Sequence, residues 1–153
     1  MEVRKRKLSI LQLIGYEEVL PFNVSQEELC LLIYELGQKF ITDMLDVVYF
    51  DGPIYFKTYP FAVVPYNKAL IFSTFGNEVS RINADTGFIQ YKEEVLIDSM
   101  EYSTFTCDYL QEYYNILLEK YDKKHLECLA VYHVLRMGED RLYVDAYSSW
   151  EVD

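Results

Sequence analysis

Three cysteines and two histidines are the residues of this chain best suited to nucleophilic or metal chemistry. His125 and His133 do not stand at the i, i+4 spacing of a helical zinc motif. On a strand, His133 would share a face with Val131 and Leu135, because alternate residues point the same way. That pattern describes a satisfied core histidine. Cys107 falls in the first turn of an expected helix, where the dipole would lower a thiol pKa. With a histidine it could form a nucleophile, but no glycine-flanked nucleophile turn or oxyanion segment accompanies it. A small core thiol is the simpler reading. The glycines fit neither G-x-G-x-x-G nor G-x-x-x-x-G-K. Acidic neighbours such as Glu93-Glu94, or Asp43 with Asp46, arise by chance among 25 acidic residues and read as solvated faces. No catalytic, metal or cofactor residue is assigned, and no cofactor is expected. The chain reads as a binding protein, with a Cys-dependent enzyme as the least favoured alternative.

Charge narrows the class of partner. The formal net charge is −11; Arg4, Lys5, Arg6 and Lys7 against Glu2 make residues 1–7 +3, which leaves −14 on the remainder. So acidic a chain is a poor match for phosphate backbones and a good one for a basic protein. Solubility alone would also account for the charge. The 15 tyrosines suit half-buried sheet faces and binding surfaces equally. An odd number of widely spaced cysteines, Cys30, Cys107 and Cys128, argues against a disulfide framework and for a reducing cytoplasm. No secretory signal and no run long enough to span a membrane is read in the sequence.

The elements that must position these residues read as α+β. Residues 1–7 are expected to form a solvated basic arm, and residues 8–150 one domain. Leu8–Ile14 is ambiguous between strand and helix. Ser25-Gln26-Glu27-Glu28 is a capping box opening a helix with Leu29, Leu32, Ile33, Leu36 and Phe40 on one face. Short β-rich runs follow: Asp46–Phe50, Ile54–Tyr59, Phe61–Val64 and Ala69–Phe75. A hairpin is predicted about Asp85-Thr86-Gly87, then a short strand at Val95–Asp98. Ser103 or Thr104 should cap a second helix whose stripe is Phe105, Tyr109, Leu110, Tyr113, Ile116, Leu117 and Tyr121. Cys128–Leu135 and Arg141–Tyr147 read as closing strands about Gly138-Glu139-Asp140. No internal repeat is evident. The expected architecture is a largely antiparallel multi-stranded sheet packed with flanking helices.

Leu70-Ile71-Phe72, Gly76-Asn77, Val79 to Ile82, Asp85-Thr86-Gly87, Phe88-Ile89 and Ser103-Thr104-Phe105 with Tyr109-Leu110 together resemble the SUKH superfamily. Leu20-Pro21 ahead of a helix ending near Glu35-Leu36-Gly37 adds to the likeness. Many members are bacterial immunity proteins, so the resemblance implies neutralisation of a polymorphic toxin by binding, without catalysis. The implied partner is a basic toxin domain, such as a nuclease. A non-toxin adaptor of the same fold is the alternative. The surface expected to carry binding comprises Asp46, Asp51, Tyr55, Tyr59, Glu93, Glu94, Asp98 and Glu101. It would present acids and tyrosines together.

Overall fold

The computed structural model describes residues 1–46, 48–62, 67–76 and 89–150, with the side chains of 89–93 excepted. The expected hairpin at Asp85-Thr86-Gly87 lies outside the described residues, as do Val63 and Val64 of Phe61–Val64. Among the described residues six strands, β1 (Arg4–Val19), β2 (Ile54–Thr58), β3 (Lys68–Thr74), β4 (Ile89–Thr106), β5 (Leu129–Met137) and β6 (Leu142–Trp150), form a single α+β domain with helices α1 (Gln26–Asp43), α2 (Leu110–Lys120) and α3 (Lys123–Leu126). The strands close antiparallel in the order β1-β3-β2-β5-β6-β4.

The order has an internal symmetry that the residues do not advertise. The unit β1-α1-β2-β3 recurs as β4-α2-β5-β6, and exchanging the two units maps the barrel order onto itself.

Alternation along the strands makes two cores. One is built from strands β1, β3, β4, β5 and β6: Ile10, Leu13, Phe72, Val95, Ile97, Tyr102, Ala130, Tyr132, Val134 and Tyr147, with Tyr55 of β2, Tyr59 and Leu70 against it. This is the barrel interior. The other joins the outward faces of β2, β3, β5 and β6 to Cys30 and Ile33 of α1 and to Leu110, Tyr113, Tyr114 and Leu117 of α2. Along β1, Gln12 has φ 50, which breaks the alternation and brings Leu13 to the same cluster as Ile10.

Several local expectations hold. Ser25 caps α1, its Oγ accepting from the Glu28 amide at 3.1 Å. Gly138 closes the last turn by donating to the Arg141 carbonyl at 2.7 Å. Other expectations are resolved, extended or corrected. Leu8–Ile14 is strand, and the basic residues Arg4–Lys7 are its first turns of pleat, exposed but not a free arm. Val95–Asp98 is the middle of an 18-residue strand. Ser103 and Thr104 cap no helix. They belong to β4, and α2 starts at Leu110 after a 3-10 turn at Cys107–Tyr109. Ser103-Thr104-Phe105-Thr106 contains three β-formers paired to β6, and that ladder outweighs the serine's capping preference. Of the strand expected at Asp46–Phe50, the described residues show Asp46 in a turn and Phe50 in an isolated bridge with Phe75, with no strand between.

Candidate functional site

His133 is a core residue. It is 0% exposed, its ring stacked on Phe56 at 3.9 Å and 3°. Nδ1 lies 3.1 Å from the Phe56 carbonyl oxygen, which can only accept, so Nδ1 carries the proton. Nε2 then accepts from the Tyr114 hydroxyl at 2.7 Å. Burial is the main cause that drives its pKa down to about 3. Cys30 and Cys107 are buried free thiols, and burial first of all raises both pKa values. For Cys107 this reverses the expected activation by a helix dipole: Glu27 and Asp108 add to the raising, and the two backbone hydrogen bonds do not offset it. Among the described residues no three His, Cys, Asp or Glu side chains converge on a metal position.

Of the eight residues expected to bind a partner, Tyr55, Tyr59 and Glu101 are turned inward or buried, while Asp46, Asp51, Glu94 and Asp98 are exposed. Tyr55 turns into the barrel, stacked on Phe72 at 5.1 Å, and Tyr59 joins the same interior cluster beneath the Lys57 ammonium at 5.2 Å. Asp46 is exposed in the turn after α1. Asp51 is exposed before β2, its Oδ1 accepting from Thr74 at 2.8 Å. Glu94 and Asp98 are exposed on the same outward face of β4, and Asp98 meets Lys7 at 3.9 Å. The side chain of Glu93 lies outside the described residues.

Glu101 is the clearest correction. It is only 6% exposed. Its carboxylate accepts from the Tyr121 hydroxyl at 2.5 Å and from Ser148 at 3.2 Å, with the Lys120 ammonium 3.9 Å away. The Tyr113 hydroxyl donates to its carbonyl at 2.5 Å. It ties β4 to the end of α2 and to β6, and its carboxylate is spent on internal contacts. Replacing Glu101 with alanine should strand the Tyr121 and Ser148 hydroxyls and cost about 2–3 kcal/mol, read from the denaturant midpoint.

Sequence reasoning missed the groove between the end of β1 and the second half of α1. About 660 Å³ in volume, it is lined by Tyr16, Val19, Leu36, Phe40 and Met44, with Glu17, Glu18, Asp43 and Lys39 also on its walls. Tyr16 and Phe40 pack at 5.1 Å. Burial, then the Glu18 charge, raises the Tyr16 pKa, so its phenol stays neutral at physiological pH. The signal was divided between two segments: Tyr16–Val19 ends a strand of ambiguous period, and Phe40–Met44 runs past the helix end that the sequence suggests near Gly37.

No protein-family model matches the chain, and no curated protein matches its sequence. A solved structure shares its fold: that of SAV2435 bound to tetraphenylphosphonium, with a TM-score of 0.51 over 97% of this chain and 94% of that one, at 10% identity. The likeness is one of fold. Among the described residues no helix is long and apolar enough to cross a membrane, which bears on helices alone.

Proposed function

We propose that this is a binding protein whose β1–α1 groove holds a large aromatic cation. The carrying observation is the wall composition of that groove. Tyr16 and Phe40 offer ring faces and apolar area, while three carboxylates against the single Lys39 make its surroundings net negative. Cations bind over such rings with about 0.5–2 kcal/mol per contact, more as water is excluded. The fold relative was solved with tetraphenylphosphonium, four phenyl rings about a positive centre, which supports the same ligand class for this chain. Calorimetric titration with tetraphenylphosphonium tests it. Binding should occur, should weaken about tenfold in Phe40→Ala, and should be lost for tetraphenylborate, the same shape with negative charge. Equal binding of the two ions would sink the reading.

A second reading is the neutralisation of a basic toxin, or adaptor binding to another protein, through an acidic face. It draws on Glu94 and Asp98, which alternate with Leu96 and Met100, 69% and 48% exposed, on β4. Acids interleaved with apolar side chains suit a protein interface. Co-expression with the toxin encoded beside it should protect cells and yield a complex; recovery of a housekeeping protein instead would favour the adaptor.

A further inference from the structure

Arg4 stands where β4 begins a stretch paired on one side only. The β1–β4 ladder ends at Arg4 opposite Tyr102, while β4 runs on through Ser103–Thr106. Those four residues pair with β6 on one side. On their other side no strand stands among the described residues. Met1–Val3 lie outside β1, and the contact there is a side-chain one, Ser103 Oγ donating to the Glu2 carbonyl at 2.8 Å. A groove of about 500 Å³ runs along this edge between Arg4, Tyr102, Thr104 and Thr106 and the first residues of the α2 segment, Tyr109 and Glu112. Tyr109 is 50% exposed there. A strand edge without a neighbouring strand is a template for another strand.

Charge says what kind of strand. The Arg4 and Arg6 guanidiniums stand 5.4 and 4.8 Å over the Tyr102 ring, and Arg6 donates to its hydroxyl at 3.0 Å. Both arginines are exposed, and neither is in an ion pair among the described residues. They are thus held in place with their charge unmatched, in a chain of net charge −11. At the Thr106 end the sign reverses: Glu2 and Glu112 line the groove, and Asp108 accepts from Thr106. Lys5 and Lys7 alternate to the outward face, where Lys7 meets Asp98.

We propose that the Ser103–Thr106 edge takes an extended peptide segment of a partner protein as an added strand, with acidic side chains of that segment against Arg4 and Arg6. Backbone bonds to the edge supply affinity, and the arginines fix its direction and select acidic sequences. The site is independent of the β1–α1 groove.

Fluorescence anisotropy with labelled peptides of alternating Thr and Val carrying two glutamates at either end tests the proposal. At least one glutamate peptide should bind. Its two-lysine counterpart, and a version N-methylated at alternate amides, should each bind about tenfold more weakly. Arg4→Glu with Arg6→Glu should invert the preference. Should that variant not fold, Arg4→Gln with Arg6→Gln should abolish the preference. Absence of binding by both glutamate peptides at millimolar concentration overturns the proposal. So does undiminished binding of the N-methylated peptide, which would show charge attraction without strand addition.

Discussion

Replacing Gly15 with alanine is expected to destabilise the protein by about 3 kcal/mol, a fall of roughly 6–12 °C in Tm for a domain of this size. Gly15 pairs with Phe72 of β3 on one side and Gln90 of β4 on the other. A Cβ there would lie 2.2 Å from the Ile71 carbonyl oxygen, 2.4 Å from Phe72 Cβ and 2.8 Å from Phe72 Cα. Two of those atoms are backbone, so no rotamer change relieves the contact. Phe72 cannot retreat, being 1% exposed, stacked on Tyr55 and edge-on to Tyr132 at 6.4 Å. The strain must therefore open β1–β3 pairing or displace the barrel interior. Gly76→Ala is the control. Its nearest neighbour would be the Asp51 carboxylate at 3.2 Å, the end of an exposed side chain, and its cost should stay within about 1 kcal/mol. Thermal and denaturant unfolding of both variants measure the difference, and equal midpoints would refute the role given to Gly15.

Gly15 also shows what the sequence could and could not disclose. As a break after an apolar run it reads as the end of an element. In the structure it is the middle of a 16-residue strand, where closeness to Phe72 demands the missing side chain. Nothing local reveals an approach by residues nearly sixty positions away. Several local signals read correctly: Ser25 caps α1, the Gly138 turn joins β5 to β6, and Tyr113 and Leu117 face the core from α2; the cap expected at Ser103 is just as local and loses to the ladder with β6. Closure of the barrel and its two-unit symmetry depend on which strands pair, which composition leaves open. The binding residues were hardest for the same reason. Tyr55 and Tyr59 look like surface candidates until pairing with β3 and β5 turns Tyr55 inward, and Glu101 looks solvated until α2 places Tyr121 against it.

The barrel's aromatic content follows from that closure. Tyr55, Tyr102, Tyr132 and Tyr147 fill an interior shared by all six strands, so much of the tyrosine surplus is packing material. The tyrosines with a binding case are those at the two grooves, Tyr16 and Tyr109. The grooves carry opposite charge at their working ends, carboxylates beside Tyr16 and arginines beside Tyr102. A net charge of −11 therefore misdescribes the molecule as a single acidic surface. Ligand selectivity is set locally, within about a Debye length of each groove.

Buried His133 should dominate the acid limb of stability. In the unfolded chain it binds a proton near pH 6.5, but in the folded protein not until about pH 3. Between those values the unfolded state holds more protons, so stability falls as pH falls, by about 1.4 kcal/mol per pH unit from this one residue. The loss reaches about 2 kcal/mol at pH 5 and is fully absent above the unfolded value. Carboxylates contribute their own losses further down, below about pH 4. The pH 5–6.5 window therefore separates the two histidines from the carboxylates, and removal of His133 identifies its share. Tyr114→Phe alone leaves Nε2 buried without its donor and should cost about 1–3 kcal/mol at pH 7.5. The double variant Tyr114→Phe with His133→Phe removes both polar partners and the titrating group. Its absolute stability also reflects the packing of a larger ring against Phe56, so slopes are the quantity to compare. Guanidinium titrations at pH 7.5, 6 and 5 should show the wild-type slope and its loss in the double variant. The His133 ring carbons should report a neutral imidazole by NMR down to pH 4. A wild-type protein whose stability is flat from pH 6.5 to 5 would mean that His133 takes up its proton in the fold, against the acceptor geometry at Tyr114.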